Sequence, residues 1–204
     1  MPESRTFMEQ ATSSHGLVER VQQGDKEAFS LLFEKYRTRL AVIIHYRLGV
    51  SLRRDADVDD VLQETMLRAY RDIERFEYKA PGSFMSWVVR IADHVIVDAA
   101  RSQNRQKRAG EHVRFRSESN PLGPEPADYH TPSRIFAENE SAGRFVQTLD
   151  RLPEDYRRVI LLAKVEGLTT SEVAQRLEKS NEATSLLLHR AIKRLRSLYE
   201  AHEE

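Results

Sequence analysis

Cysteine is absent from the 204 residues. Disulfides and thiolate metal sites are therefore excluded, and a reducing cytoplasm is the simplest setting. Net charge is absent as well, because 32 basic residues cancel 32 acidic ones. The total says nothing about a polyanionic partner, and only the local arrangement of charge can. No apolar run reaches the roughly 18 residues of a membrane span. The opening MPESRTFMEQATSSHG has no apolar core, unlike a secretory signal, and reads as a disordered tail over residues 1–16. The histidines at 15, 45, 94, 112, 130, 189 and 202 show no metal-ligand spacing. There is no Gly-rich phosphate loop and no set of nucleophile, base and orienting group. No metal, no cofactor and no enzymatic activity are expected. Strand-like alternation and internal repeats are also missing.

Helical periodicity, by contrast, is present. Hydrophobic residues make up 40% of the chain and charged residues 31%, the balance of a globular helical protein. From Leu17 to about Gly49 the pattern is helical, with a break at Gly24-Asp25 and Asp25 placed to cap the helix after it. Two further patterns lie close together. One carries Val58, Val61, Leu62, Thr65, Met66, Ala69, Tyr70 and Ile73; the other carries Phe84, Trp87, Val88, Ile91, Ala92, Val95, Ile96, Ala99 and Ala100. Both have the three-and-one stepping of an amphipathic helix with one buried face. Between them FEYKAPGS, residues 76–83, is a loop with a Pro-Gly turn, and Ser83 is the expected N-cap of the next helix.

Four prolines (121, 124, 126 and 132) and the loss of periodicity mark residues 110–142 as a flexible linker. Helical pattern resumes through Phe145, Leu149 and Leu152, with Pro153 suited to the first turn of a new helix. Thr169-Thr170-Ser171-Glu172 has the form of a capping box and opens a short helix. A turn at Glu178, Lys179 and Ser180 leads to a last helix from about Asn181 to Tyr199. The expected architecture is all-α: two small helical domains, residues 17–109 and 143–204, joined by the linker.

Three features carry chemistry. The first is acidic: Asp59, Asp60, Gln63 and Glu64 cluster on about one helical turn. The helix dipole favours carboxylates there in any case, but the cluster also suits docking of a basic protein partner. The second is a basic stripe: Arg90, His94, Val97, Arg101, Arg105 and Arg108 are spaced four, three, four, four and three. A solvated face looks the same, and so does the footprint of nucleic acid. Trp87 lies at the edge of the apolar face near the loop, either as core or as a brace for a loop that receives an unstacked base. The third is the final helix pair. Thr184, Leu188, Ala191, Leu195 and Leu198 share one face, while Ser185, His189, Lys193 and Arg196 share another, with Arg190 and Arg194 beside them. This is either the end of an ordinary bundle or a helix-turn-helix, whose second helix enters the major groove.

Taken together, DVDDVLQETMLRAYRDIERFE and FMSWVVRIADHVIVDAARSQNR resemble region 2 of bacterial sigma factors of the extracytoplasmic-function (ECF) group. LDRLPEDYRRVILLAKVEGLTTSEVAQRL and LLLHRAIKRLRSL resemble their region 4. The resemblance implies a dissociable specificity subunit that binds core RNA polymerase, directs it to promoter DNA and helps open the duplex. Asp59, Asp60, Gln63, Glu64 and Arg68 would then dock on the clamp helices of the large catalytic subunit, with the flap as a further expected contact. Tyr78, Lys79, Trp87, Arg90, His94, Arg101, Arg105 and Arg108 would hold the −10 element. Thr169, Ser185, Leu186, His189, Arg190, Lys193 and Arg194 would face the −35 element. An anti-sigma factor is a further partner the family suggests. The alternative is a free-standing helix-turn-helix regulator, which leaves the acidic helix unused.

One departure stands out. The family's turn glycine is replaced by Glu178, and its base-reading Lys and Arg by Ser185 and Leu187. The expectation is weak or unusual −35 readout.

Overall fold

The structure is a computed structural model that describes residues 13–53, 56–108 and 134–200, without the side chains of 51 and 104–108. Among these residues all regular structure is helical, and they fall into two compact units, one within 1–129 and one within 130–204.

In the first unit α1 spans Ser14–Gln22, capped by the Ser13 hydroxyl, which accepts from the Gly16 N–H at 3.0 Å. The last three residues of the expected tail are thus helical. Gly24, at φ 91°, makes the turn after α1. The Asp25 carboxylate accepts from the Ala28 N–H at 3.0 Å and opens α2, Lys26–Leu52. That bond, and then the Arg20 guanidinium at 2.7 Å, hold the Asp25 carboxyl below its usual range. Gly49 does interrupt α2, at φ 62°, and helical bonding resumes beyond it to Leu52.

α3 spans Val58–Asp72 and ends in a 3-10 turn, Ile73–Arg75. Its buried face is Val58, Val61, Leu62, Thr65, Met66 and Ala69. Tyr70, which the periodicity placed with them, is exposed, with its ring edge-on to Phe29 at 4.7 Å. α4, Ser83–Arg108, buries Phe84, Met85, Val88, Val89, Ala92, Val95 and Ile96. Leu32, Leu40, Ile43 and Ile44 of α2 complete this core. An Arg47–Asp93 ion pair ties α2 to α4.

The second unit begins earlier than its periodicity suggested. α5 is Arg134–Glu138 and α6 is Glu140–Asp150, so the end of the expected linker is helical. Five residues show no period, yet Ile135 and Phe136 are buried. A Cβ on Gly143 would meet the Phe136 carbonyl oxygen at 2.9 Å, so only glycine lets α5 fold this closely onto α6. α7, Glu154–Ile160, starts one residue after Pro153 and continues into a π turn, Leu161–Val165. α8 is Thr170–Leu177 and α9 is Asn181–Glu200. Leu149, Val159, Ile160, Val173 and Ala191 form the core.

Candidate nucleic-acid interface

The capping box foreseen at the start of α8 is present. The Thr169 hydroxyl accepts from the Glu172 N–H at 3.3 Å, and the Glu172 carboxylate accepts from the Thr169 N–H at 2.8 Å. The Thr169 hydroxyl also donates to that carboxylate at 2.7 Å, so it is engaged in capping although it is exposed. α8 then ends on Glu178 in the left-handed region, φ 53°, the one non-glycine residue with positive φ among those described. Side chains there strain the backbone by about 1–2 kcal/mol. The tight turn nevertheless forms, with α9 starting three residues on.

On α9 Thr184, Ala191 and Leu198 are buried, and Leu188 and Leu195 are half-buried. The other candidates, Ser185, Leu186, His189, Arg190, Lys193 and Arg194, are all exposed. Behind α8, the buried Glu166 carboxylate accepts from Arg176 at 3.0 Å. No sequence signal pointed to this pair, which fixes α8 to the π turn.

In the first unit the loop between α3 and α4 is built on aromatic contacts. Phe76 is buried, its ring 4.8 Å from Trp87 and 5.7 Å from Phe84. Trp87 is half-buried, at the edge of the core and against Phe76 of the loop. Tyr78 lies between Phe76, edge-on at 6.4 Å, and His15 of α1 at 4.7 Å. Burial, and then Tyr36, push its hydroxyl above the ordinary range. Lys79 is exposed, 3.7 Å from Glu77.

Two ties around this loop were not expected. Gln22 of α1 donates to the carbonyl of Phe76 (2.8 Å), just past the 3-10 turn, and to that of Ile73 (2.9 Å), which also accepts from the Phe76 N–H at 3.1 Å. Ser83 does not cap α4 forward. Its hydroxyl donates back to the Ala80 carbonyl at 2.6 Å, while Gly82, at φ 90°, occupies the capping position.

The basic stripe is where periodicity put it. Arg90, His94, Val97 and Arg101 are exposed on α4. Arg105 and Arg108 are on the same helix, with side chains outside the described residues.

The acidic cluster is less open than expected. Gln63 is exposed, whereas Asp59, Asp60, Glu64 and Arg68 are half-buried. Burial, and then the charges of Asp57 and Asp59, raise the Asp60 carboxyl above its usual range. Arg68 donates to Glu64 at 2.7 Å and across to Asp98 of α4 at 2.9 Å. The Asp98 carboxyl is lowered, first by that bond and then by the Arg68, Arg101 and His94 charges. Asp98 thus joins the acidic helix to the basic stripe. The sequence signal for it was a lone acid between His94 and Arg101.

Among the described residues no group of His, Asp and Glu is arranged to hold a metal ion, and no helix is long and apolar enough to cross a membrane. The site can therefore be described by its charge, its aromatic rings and its exposed helix faces.

A family model described as ECF sigma factor matches residues 11–200. The ECF RNA polymerase sigma-E factor of Haemophilus influenzae is 31% identical over 168 residues, 82% of this chain and 85% of that one. The protein of the same name from Escherichia coli (strain K12) is 29% identical over 167 residues, 82% of this chain and 84% of its own. Among solved structures, CnrH in complex with the cytosolic domain of CnrY shares 24% identity over 91% of this chain and 96% of that chain, with a TM-score of 0.44.

Proposed function

The chain belongs to the ECF sigma factor family, and from that premise we propose how its parts divide the work of starting transcription. A sigma factor binds core RNA polymerase and directs it to promoters. Here the first turns of α3, with Asp59, Asp60, Gln63 and Glu64, meet the polymerase. Arg68 positions Glu64 while held by Asp98. The loop at 76–83 and the Arg90-to-Arg108 stripe take the −10 DNA. Its bases stack near Trp87, and its phosphates meet the cations. Tyr78 holds the loop in shape through Phe76 and His15, and Lys79 reaches out to phosphate. α8 and α9 take the −35 element, with Thr169 fixing the start of α8.

The single observation that carries this reading is the packed α3–α4 pair. It offers carboxylates on one helix and cations on the other, joined through the Arg68–Asp98 bond. A free-standing DNA-binding regulator has no use for the first of these faces. On this reading the chain supplies recognition and the polymerase supplies the chemistry. Both act in the cytoplasm, where promoter DNA is. A protein that covered the acidic face would block polymerase and act as an anti-sigma factor.

The test is run-off transcription with core RNA polymerase, the full chain and a library of genomic promoter fragments. Discrete new start sites that depend on the chain are expected. DNA binding without polymerase, and no transcripts with it, would replace this reading by the free-standing regulator.

A further inference from the structure

α9 turns one line of residues directly away from its core. Thr184, Ala191 and Leu198 are buried, and opposite them Glu182, Leu186, His189 and Lys193 are all exposed. Their spacing of four, three and four makes them one face. The order along that line is unusual for a helix that meets DNA. It opens with a carboxylate and a leucine that is 51% exposed. Cations come only later, at Arg190, Lys193, Arg194 and Arg196, each exposed and none ion-paired among the described residues. A lone exposed leucine is ordinary. This one stands in the first turns of the second helix of a helix-turn-helix, where side chains meet base edges, just ahead of cations placed for the backbone.

The edges of the bases then decide what fits. In the major groove guanine offers only the acceptors N7 and O6, which a carboxylate repels and a leucine cannot bond. Thymine offers a methyl group, and cytosine an amine that a carboxylate accepts; adenine's amine sits beside the N7 acceptor, which repels a carboxylate. The Glu182 carboxyl is lowered, first by its own N–H and then by the Ser180 hydroxyl. It is therefore charged near the helix start.

We propose that α9 reads pyrimidine edges: Leu186 packs on a thymine methyl, and Glu182, one turn before it, accepts from a cytosine amine. This rests on the assignment of α8 and α9 to the upstream promoter element and names the bases that element must present. It excludes guanine from the positions facing these two side chains.

The experiment uses holoenzyme assembled from the full chain and core polymerase, on a promoter that it starts from. Each thymine of the upstream element is replaced in turn by uracil, which differs only by the methyl group. One buried methyl corresponds to about fourfold. At one position the swap is expected to lower initiation by about that factor. Leu186→Ala is expected to lose a similar factor on thymine DNA and to respond equally to thymine and uracil. The truncation is at an exposed site, so the core is untouched. Wild type that ignores every uracil, or a variant that keeps the wild-type difference, overturns the inference while the sigma-factor reading stands. Absence of chain-dependent transcripts on any promoter overturns both.

Discussion

The two candidate DNA-binding regions are held in different ways. The α3–α4 region is braced by side chains from several segments. Gln22 reaches in from α1, His15 stacks on Tyr78, Ser83 reaches back to Ala80, and Arg68 spans two helices. The α8–α9 pair is held by its caps, by buried Val173, Thr184 and Ala191 and by the Glu166–Arg176 bond, and every candidate reader on α9 stands exposed to solvent. A loop must be fixed from outside before it can receive anything, whereas a helix carries its own shape. Changes of reader on α9 are therefore cheap for the fold. This accounts for how far its first turns depart from the family pattern while the helix remains intact.

The largest effect should fall on the braced side. Phe76→Ala is expected to destabilise the first unit by about 3–5 kcal/mol, since Phe76 packs against both Phe84 and Trp87. Chemical denaturation followed by Trp87 fluorescence measures it. A loss below about 1 kcal/mol would mean the ring is not a keystone. Next, Asp60→Arg with Glu64→Arg should weaken core polymerase binding by about a hundredfold or more, as like charges across an interface cost several kcal/mol. Titration with labelled core polymerase would check this, and unchanged affinity would remove the acidic face from the interface.

On the α8–α9 side the effects should be smaller and of either sign. Glu178→Gly is expected to stabilise the second unit by about 1 kcal/mol, because glycine accepts positive φ without strain. Slower hydrogen exchange in α8 and α9 would report it. Faster exchange would show that the Glu178 side chain stabilises the turn. Back on α4, Arg101→Ala should lower the slope of log affinity against log salt by about 0.9, one phosphate contact. An unchanged slope would take Arg101 off the DNA.

The smallest effect concerns pH. The raised Asp60 carboxyl means that the folded chain keeps this proton to higher pH than the unfolded chain does. Stability from this group is complete below the ordinary carboxylate range and falls as pH rises to the raised value. Asp60→Asn should therefore be more stable than wild type at neutral pH, and the difference should close in acid. Melting curves across pH would show it, and a gap that stays constant would assign the gain to something other than the charge.

Much of the helical layout was legible, because period reports which face is buried. Val58 through Ala69 and Phe84 through Ile96 show this, as does the capping box at Thr169 and Glu172, whose signature is local. Less legible was anything that depends on how elements meet. Nothing near Gln22 says that its amide will meet carbonyls at 73 and 76. Nothing near Asp98 says that Arg68 will lie across from it. Tyr70 fits the apolar spacing yet is 40% exposed, its ring resting edge-on against Phe29 of α2. α5 escaped because five residues are too few to show a period. The residue-by-residue roles on polymerase and promoter came from the family resemblance, and the charge-reversal and salt-slope measurements would establish them.

Gln22 has a consequence for the order in which the chain becomes structured. The amide that closes the end of the 3-10 turn belongs to a helix some fifty residues earlier. During synthesis α1 leaves the ribosome first and waits for a loop not yet made. A contact of such long sequence separation is slow to form and is absent until α2 and α3 have folded back on each other. The loop at 76–83 therefore gains its final shape only once the helices before it have assembled. Removing α1 would take from this distant loop both the Gln22 amide and the His15 ring.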